Sequence, residues 1–123
     1  MKIESFEDLD CWKCARKLRM MVSESVQKWP KEERYELVKQ VKRSSRSVTA
    51  NIAEGYGRHQ HQDNIQFCRQ ARGSLTETLD HLIAARDETF INETEIMSFR
   101  EAYGHCIRLL NGYIAYLKTK GAK

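Results

Sequence analysis

The sequence predicts an all-α protein, built as an antiparallel up-down-up-down four-helix bundle. Apolar residues recur at intervals of three and four in four long segments, which is the spacing of one helix face. One Pro and six Gly are too few for the many turns of an all-β fold. With 123 residues, 41% of them hydrophobic, the chain suits a single domain over residues 1–123.

The first two predicted helices cover residues 7–28 and 31–56. The first carries its apolar face on Cys11, Ala15, Leu18 and Val22. Pro30 ends this helix and suits the first turn of the next, where its missing N–H is not needed. At the end of the second helix, either Gly55 or Gly57 is expected to adopt a left-handed cap conformation.

The third predicted helix covers residues 63–88, and the fourth begins after Asn92. Gly73 lies inside the third helix, where glycine is unfavourable by about 1 kcal/mol, so we expect another backbone to approach it closely. Asn92 is predicted to cap the fourth helix, with Glu95 three residues later. Short polar connections favour antiparallel neighbours.

Charge and cysteine content limit the possible environments. The net charge is +4, from 21 basic and 17 acidic residues, which permits nucleic-acid binding without requiring it. No segment approaches the roughly 18 apolar residues of a membrane span, and no signal peptide is recognisable, so we expect a cytoplasmic protein. Cys11, Cys14, Cys68 and Cys106 are accordingly expected to be reduced, without disulfides.

The sequence offers no recognisable catalytic or metal-binding motif. Cys11 and Cys14 have the C-x-x-C spacing, but a zinc site needs a second pair of ligands. Glu77 and His81 are separated by four residues, whereas a di-iron bundle uses Glu-x-x-His. We therefore expect no cofactor, no metal and no enzymatic activity.

A basic stripe is predicted on the outward face of the second helix. Lys39, Lys42, Arg43 and Arg46 fall within about 100° of one another on a helical wheel. These cations, with Arg58, are candidate phosphate contacts for RNA or DNA. The alternatives are a solvated face, or ion pairs with acidic residues of a neighbouring chain, for which the candidates are Glu77, Asp80, Asp87 and Glu101.

Residues 47–57 form an unusually uncharged segment whose one ionisable carboxylate is Glu54. Desolvating a carboxylate is unfavourable unless a cation compensates, so we predict an ion pair between Glu54 and Arg72 of the facing helix. In the last helix, Ala102, Leu109 and Tyr116 widen the apolar arc to about 180°, more than one core requires. This surplus predicts a homo-oligomer.

Several segments together resemble a known family of bacterial four-helix-bundle proteins, the 23S rRNA intervening-sequence proteins. The resemblance covers nearly the whole chain and is most specific at Asn-Ile-Ala-Glu-Gly (51–55) and Ala-Arg-Gly-Ser (71–74). It also rests on 6–12, 29–33, 40–44 and 109–113. Thr49, where the family often has Pro, and the cysteines at 11 and 14 are departures.

The resemblance implies a homo-oligomer, a ring-like homopentamer with a basic surface. The chain also looks like the accessory protein of diversity-generating retroelements, a related bundle that binds a reverse transcriptase and nucleic acid. In this interpretation the two motifs are an assembly element, with roles for Asn51, Glu54, Gly55, Arg72, Gly73 and Ser74. The expected function is a non-catalytic oligomer that binds RNA or DNA, or else an adaptor that recruits a protein partner.

Overall fold

The computed structural model describes residues 2–121, and within them four long helices form an antiparallel bundle. The helices are α1 (Asp10–Ser25), α2 (Leu37–Gly57), α3 (His61–Asp87) and α4 (Glu93–Gly121). Short 3-10 turns occupy Phe6–Asp8, Val26–Lys28 and Lys31–Glu33. The predicted fold class is confirmed, and the predicted second helix is divided into a 3-10 turn and the shorter α2.

A side-chain cap fixes the start of α4, and a residue other than glycine lies at the turn after α2. Asn92 caps α4 as predicted, because its Oδ1 accepts a hydrogen bond from the Glu95 backbone N–H at 2.8 Å. The predicted left-handed glycine at the end of α2 is wrong, since neither Gly55 nor Gly57 has a positive φ. His59 adopts that conformation instead, with φ of 59°.

The buried apolar side chains of the helices form one core. Val22 of α1, Val41 and Ile52 of α2, and Leu75 of α3 are completely or almost completely buried. α1 packs against α2 and α4, and α3 packs against the same two helices. This arrangement places α1 and α3 on opposite corners of the bundle, so that α2 has one flank on each.

α2 and α3 have the most extensive contact in the bundle, and small residues permit it. The buried hydroxyls of Ser44 and Thr78 are 2.8 Å apart, and Ser74 donates a hydrogen bond to Ser47 at 3.0 Å. A Cβ atom on Gly55 would lie 2.6 Å from Asn64 Oδ1, which is closer than side chains tolerate. Glycine is therefore required at position 55 by the close approach of α3.

Within the described part of the chain, no other helix approaches Gly73 closely. It is exposed, and a Cβ atom there would meet nothing within 4 Å among the residues considered. The close helix approach that the sequence predicted at Gly73 occurs within the chain at Gly55, for which the sequence predicted a helix-ending role. The distinction depends on which face of each helix is turned inward.

The prediction that every cysteine is reduced is wrong for two of the four. Cys14 of α1 and Cys106 of α4 form a disulfide, which links positions 92 residues apart. Cys11 and Cys68 are free and buried, as expected. The spacing of cysteines in the sequence gave no sign of this bond, because the packing of α1 on α4 brings the two sulfur atoms together.

The surface of α4 retains apolar side chains away from the core. Met97 is 66% exposed and Tyr116 is 55% exposed, whereas Ala102 and Leu109 are half-buried.

Among the described residues, no helix combines the length and the apolar character that crossing a membrane requires.

Candidate nucleic-acid interface

The cations of the predicted stripe on α2 lie on two different sides of that helix. Lys42 and Arg46 line a cleft shared with α1, whereas Arg43 reaches the opposite neighbour, α3. Four side chains within about 100° of a helical wheel can still divide in this way, because long side chains lean towards different neighbouring helices. The stripe is thus not one continuous phosphate-binding surface.

A small cleft of about 160 Å³ lies between α1 and α2. Arg19 of α1 and Lys42 and Arg46 of α2 line it, and we call these three cations the basic cleft. Met20 and Ser23 add an apolar and a hydroxyl group to the same lining. Cations from two helices therefore converge on a space that is open to solvent.

Hydrogen bonds hold Arg19 across the seam between the two helices. Its Nη1 donates to Thr49 Oγ1 at 2.9 Å, and the Thr49 hydroxyl donates to the Arg46 carbonyl oxygen at 3.1 Å. A guanidinium has five N–H donors, so the contact with Thr49 leaves others for a ligand. Among residues 2–121, no cation of the basic cleft makes an ion pair.

Two further cations flank the basic cleft. Arg16 lies one turn before Arg19 on the same side of α1, and it is exposed. Lys39 lies one turn before Lys42 on α2 and is exposed as well. Sequence reasoning missed the contribution of α1, because its pattern showed basic residues but not which of them face α2.

Arg43, by contrast, is engaged with α3. Its guanidinium forms an ion pair with Glu77 and donates hydrogen bonds to Gln40 Oε1 at 3.1 and 3.3 Å. Glu77 also contacts His81 Nε2 at 2.9 Å. The pKa of the Glu77 carboxyl is lowered below its ordinary value, chiefly by the hydrogen bond with His81. The hydrogen bond from Arg43 and the positive charge of Arg43 lower it further.

Arg58 lies near the other end of α2 and also has a carboxylate partner. Its Nε donates to Glu54 Oε2 at 3.1 Å, and its guanidinium lies 5.0 Å from the centre of the Phe67 ring. The predicted Glu54–Arg72 pair is therefore wrong. Glu54 is exposed, so an arginine one turn away on its own helix suffices to pair with it.

The other residues assigned to an assembly element make contacts within the chain. Arg72 Nη1 donates to Asn111 Oδ1 of α4 at 2.8 Å. Asn51 donates to the Ser47 carbonyl oxygen at 2.9 Å, and Ser74 donates to the Ser47 hydroxyl. Arg72 therefore joins α3 to α4, Ser74 and Gly55 join α3 to α2, and the Asn51 bond lies within α2, whereas Gly73 is exposed.

The sequence comparison bears on the same helices. The profile that describes the 23S rRNA-intervening sequence protein matches residues 7–112, which is most of the chain. The chain belongs to this family. The matched region contains all of α1, α2 and α3, and therefore the whole basic cleft. No curated protein matches the sequence significantly.

Proposed function

We propose that this family member is a non-catalytic, cytoplasmic homo-oligomer that binds RNA or DNA through the phosphate backbone at the basic cleft. The observation that carries the proposal is the convergence of Arg19, Lys42 and Arg46 on one open cleft without an acidic partner among residues 2–121. Cations that lack carboxylate partners are available for phosphate oxygens.

The chemistry of the basic cleft suits phosphate rather than base recognition. Two arginines can form bidentate contacts with phosphate oxygens, and Lys42 adds a compact charge to the same cleft. Such contacts position a nucleic acid without reading its sequence. Binding should therefore show little sequence preference and should weaken steeply as salt concentration rises.

The remaining predicted cations contribute to different extents. Lys39 and Arg16 extend the positive surface along the two helices. Arg43 and Arg58 already satisfy Glu77 and Glu54, so a phosphate would have to compete with those carboxylates. We therefore assign the main contacts to the basic cleft and a secondary role to Arg43 and Arg58.

Assembly would multiply the affinity of such a small site. The exposed Met97 and Tyr116 of α4 provide apolar surface for contact with a second copy, and the family resemblance favours a homopentamer. Several basic clefts on one assembly would bind a single nucleic acid far more tightly than one cleft does. Light scattering coupled to size exclusion would measure the stoichiometry.

The binding test uses a fluorescent 23S rRNA fragment and measures anisotropy between about 50 and 300 mM salt. Reversing two charges, in Lys42→Glu with Arg46→Glu, should weaken binding at low salt by about tenfold or more and lower the salt slope by about 1 to 2. Arg69→Glu with Lys118→Glu is the matched control, because it makes the same change in net charge at exposed cations of α3 and α4 that lie outside the basic cleft. Intact binding by the double variant would contradict the assignment.

A structural adaptor that recruits a protein partner, such as a reverse transcriptase, is the second candidate. The ion pairs of Arg43 and Arg58 favour the adaptor, because two of the five cations predicted from sequence to bind nucleic acid already pair with carboxylates of the same chain. A protein partner recovered in a pull-down after nuclease treatment would support this candidate. Loss of every partner on nuclease treatment would support the first proposal.

A further inference from the structure

The Cys14–Cys106 disulfide lies beside an open cleft between α1 and α4, on a different side of α1 from the basic cleft. The cleft has a volume of about 310 Å³ and is lined by Cys14, Lys17, Glu101 and His105, among others. This volume falls at the lower end of the range of small-molecule sites. Its position next to a reactive bond raises the question of what enters it.

The two cysteines of the disulfide differ in their access to this cleft. Cys14 is half-buried and forms part of the lining, whereas Cys106 is only 2% exposed and does not line it. A disulfide is opened when a thiolate attacks one of its sulfur atoms, and the attack requires access to that sulfur. From this cleft a small thiolate can reach Cys14.

The charged groups of the cleft indicate the kind of thiol that fits. Lys17, His105 and Glu101 all line this cleft, and all three residues are exposed. A thiol that carries a carboxylate and an ammonium group can pair its carboxylate with Lys17 and its ammonium group with Glu101. Small thiols derived from amino acids have this combination of charges.

We propose that Cys14 is a site of reversible modification by a small amino-acid-derived thiol that enters the α1–α4 cleft. The thiolate attacks Cys14 Sγ, a new sulfur–sulfur bond forms, and the Cys14–Cys106 bond breaks. Cys106 leaves as a thiolate and takes up one proton. This proton balances the one that the small thiol lost when it formed its thiolate. Attack on the mixed disulfide by Cys106 reverses the step and releases the small thiol.

The other two cysteines do not compete for the modification. Cys11 and Cys68 are 4% and 0% exposed, and neither lines this cleft. Burial raises the pKa of the Cys11 thiol to about 12 and that of Cys68 to about 11. They therefore remain protonated and unreactive at neutral pH.

The modification would release the covalent link between α1 and α4 without removing any cation of the basic cleft. Disulfides of cytoplasmic proteins are usually transient or redox-sensing, which agrees with the compartment proposed above. The modification does not depend on nucleic-acid binding, so the two proposals can fail separately.

The first test incubates the oxidised full-length chain with a buffer of reduced and oxidised glutathione. Samples are quenched with acid, alkylated in denaturant and mapped by mass spectrometry. We expect glutathione on Cys14 and alkylation of Cys106, at a rate that rises in proportion to the concentration of reduced glutathione. Glutathione on Cys106 alone, an unchanged disulfide, or a rate independent of thiol concentration would overturn the proposal.

The second test asks whether the thiol reacts from this cleft. Lys17→Glu should slow the reaction with glutathione, whose attacking thiolate carries net negative charge, by about threefold at low salt. It should change the rate with cysteamine much less, because the attacking thiolate form of cysteamine is a zwitterion of zero net charge. Lys118→Glu is the matched control, because Lys118 is exposed and lies about 20 Å along α4 from His105. Equal effects of the two variants on the glutathione reaction, or an equal slowing of the glutathione and cysteamine reactions by Lys17→Glu, would contradict entry through the cleft.

Discussion

The α2–α3 seam and the α1–α4 seam join neighbouring helices in different ways. In the α2–α3 seam, Gly55 and the hydroxyls of Ser44, Ser47 and Thr78 allow close contact. The α1–α4 seam is bordered by clefts of about 400 and 310 Å³, and one disulfide crosses it. One seam relies on many short-range contacts, and the other combines looser packing with a single covalent bond.

The difference has a physical cause in the size of the side chains at each contact. Interaxial distance follows the side chains between two helices, and small residues bring backbones together. Close approach increases dispersion contacts and permits direct hydrogen bonds between hydroxyls. Because α2 is held firmly on its α3 flank, Lys42 and Arg46 on its α1 flank are presented from a rigid support.

The largest expected effect on stability comes from reducing the disulfide of the α1–α4 seam. Opening a link between positions 92 residues apart should lower the free energy of unfolding by about 3 to 5 kcal/mol. The measurement is urea denaturation with and without dithiothreitol. In the control variant Cys14→Ser with Cys106→Ala, the reductant should have no effect, and equal stability of oxidised and reduced wild-type protein would contradict the prediction.

The α2–α3 seam is tested by a pair of glycine substitutions. Gly55→Ala should destabilise the protein by about 1 to 3 kcal/mol, because the new Cβ displaces the buried Asn64 side chain. Gly73→Ala should instead stabilise it by about 0.5 to 1 kcal/mol, because helix propensity improves and the space is open. Thermal and urea denaturation measure both, and opposite signs are the expected result.

A smaller effect is expected for the buried hydroxyl pair in the same seam. Thr78→Val removes the contacts with Ser44 and with the Ser74 carbonyl oxygen, and it should cost about 1 kcal/mol. Thr119→Val is the control, because Thr119 is exposed and its hydroxyl bonds only within its own helix in the described structure. A similar loss in both variants would argue against a specific role for the cross-helix contact.

The smallest effect concerns the exposed rim of the α2–α3 seam and depends on pH. The pKa of Glu77 is lowered in the folded protein, mainly by its hydrogen bond with His81, so its contribution is present above its ordinary value of 4.5 and is lost as pH falls. Solvent screening limits this contribution to a few tenths of a kcal/mol. Glu77→Gln should therefore lower stability slightly at pH 6. The difference from wild type should shrink as pH falls below 4.5 and disappear once the carboxyl is protonated in the folded protein as well.

Several features were predictable because they depend on local sequence. The cap at Asn92 depends only on local sequence, because the Asn92 side chain accepts a hydrogen bond from the backbone N–H of Glu95, three residues later. The burial of Val22, Val41 and Leu75 follows from helical periodicity. The basic character of α2 was also evident from Lys39, Lys42, Arg43 and Arg46.

Partners across helices were not predictable in the same way. Glu54 pairs with Arg58 instead of Arg72, and Arg43 pairs with Glu77 of its own chain. A helical wheel gives the direction of each side chain from its own axis, but not the identity or rotation of the neighbouring helix. For that reason Arg19 of the basic cleft escaped sequence reasoning, although it lies on a helix that was correctly predicted.

The helices, their approximate bounds, the core faces and the family could all be predicted from the amino-acid sequence, because they depend on order and spacing along the chain. The close approach at Gly55, the bond between Cys14 and Cys106 and the basic cleft shared by α1 and α2 are visible only in the folded protein. These three features depend on the rotation and separation of packed helices. Those two quantities arise from all the side chains at each seam together, and no single segment of sequence specifies them.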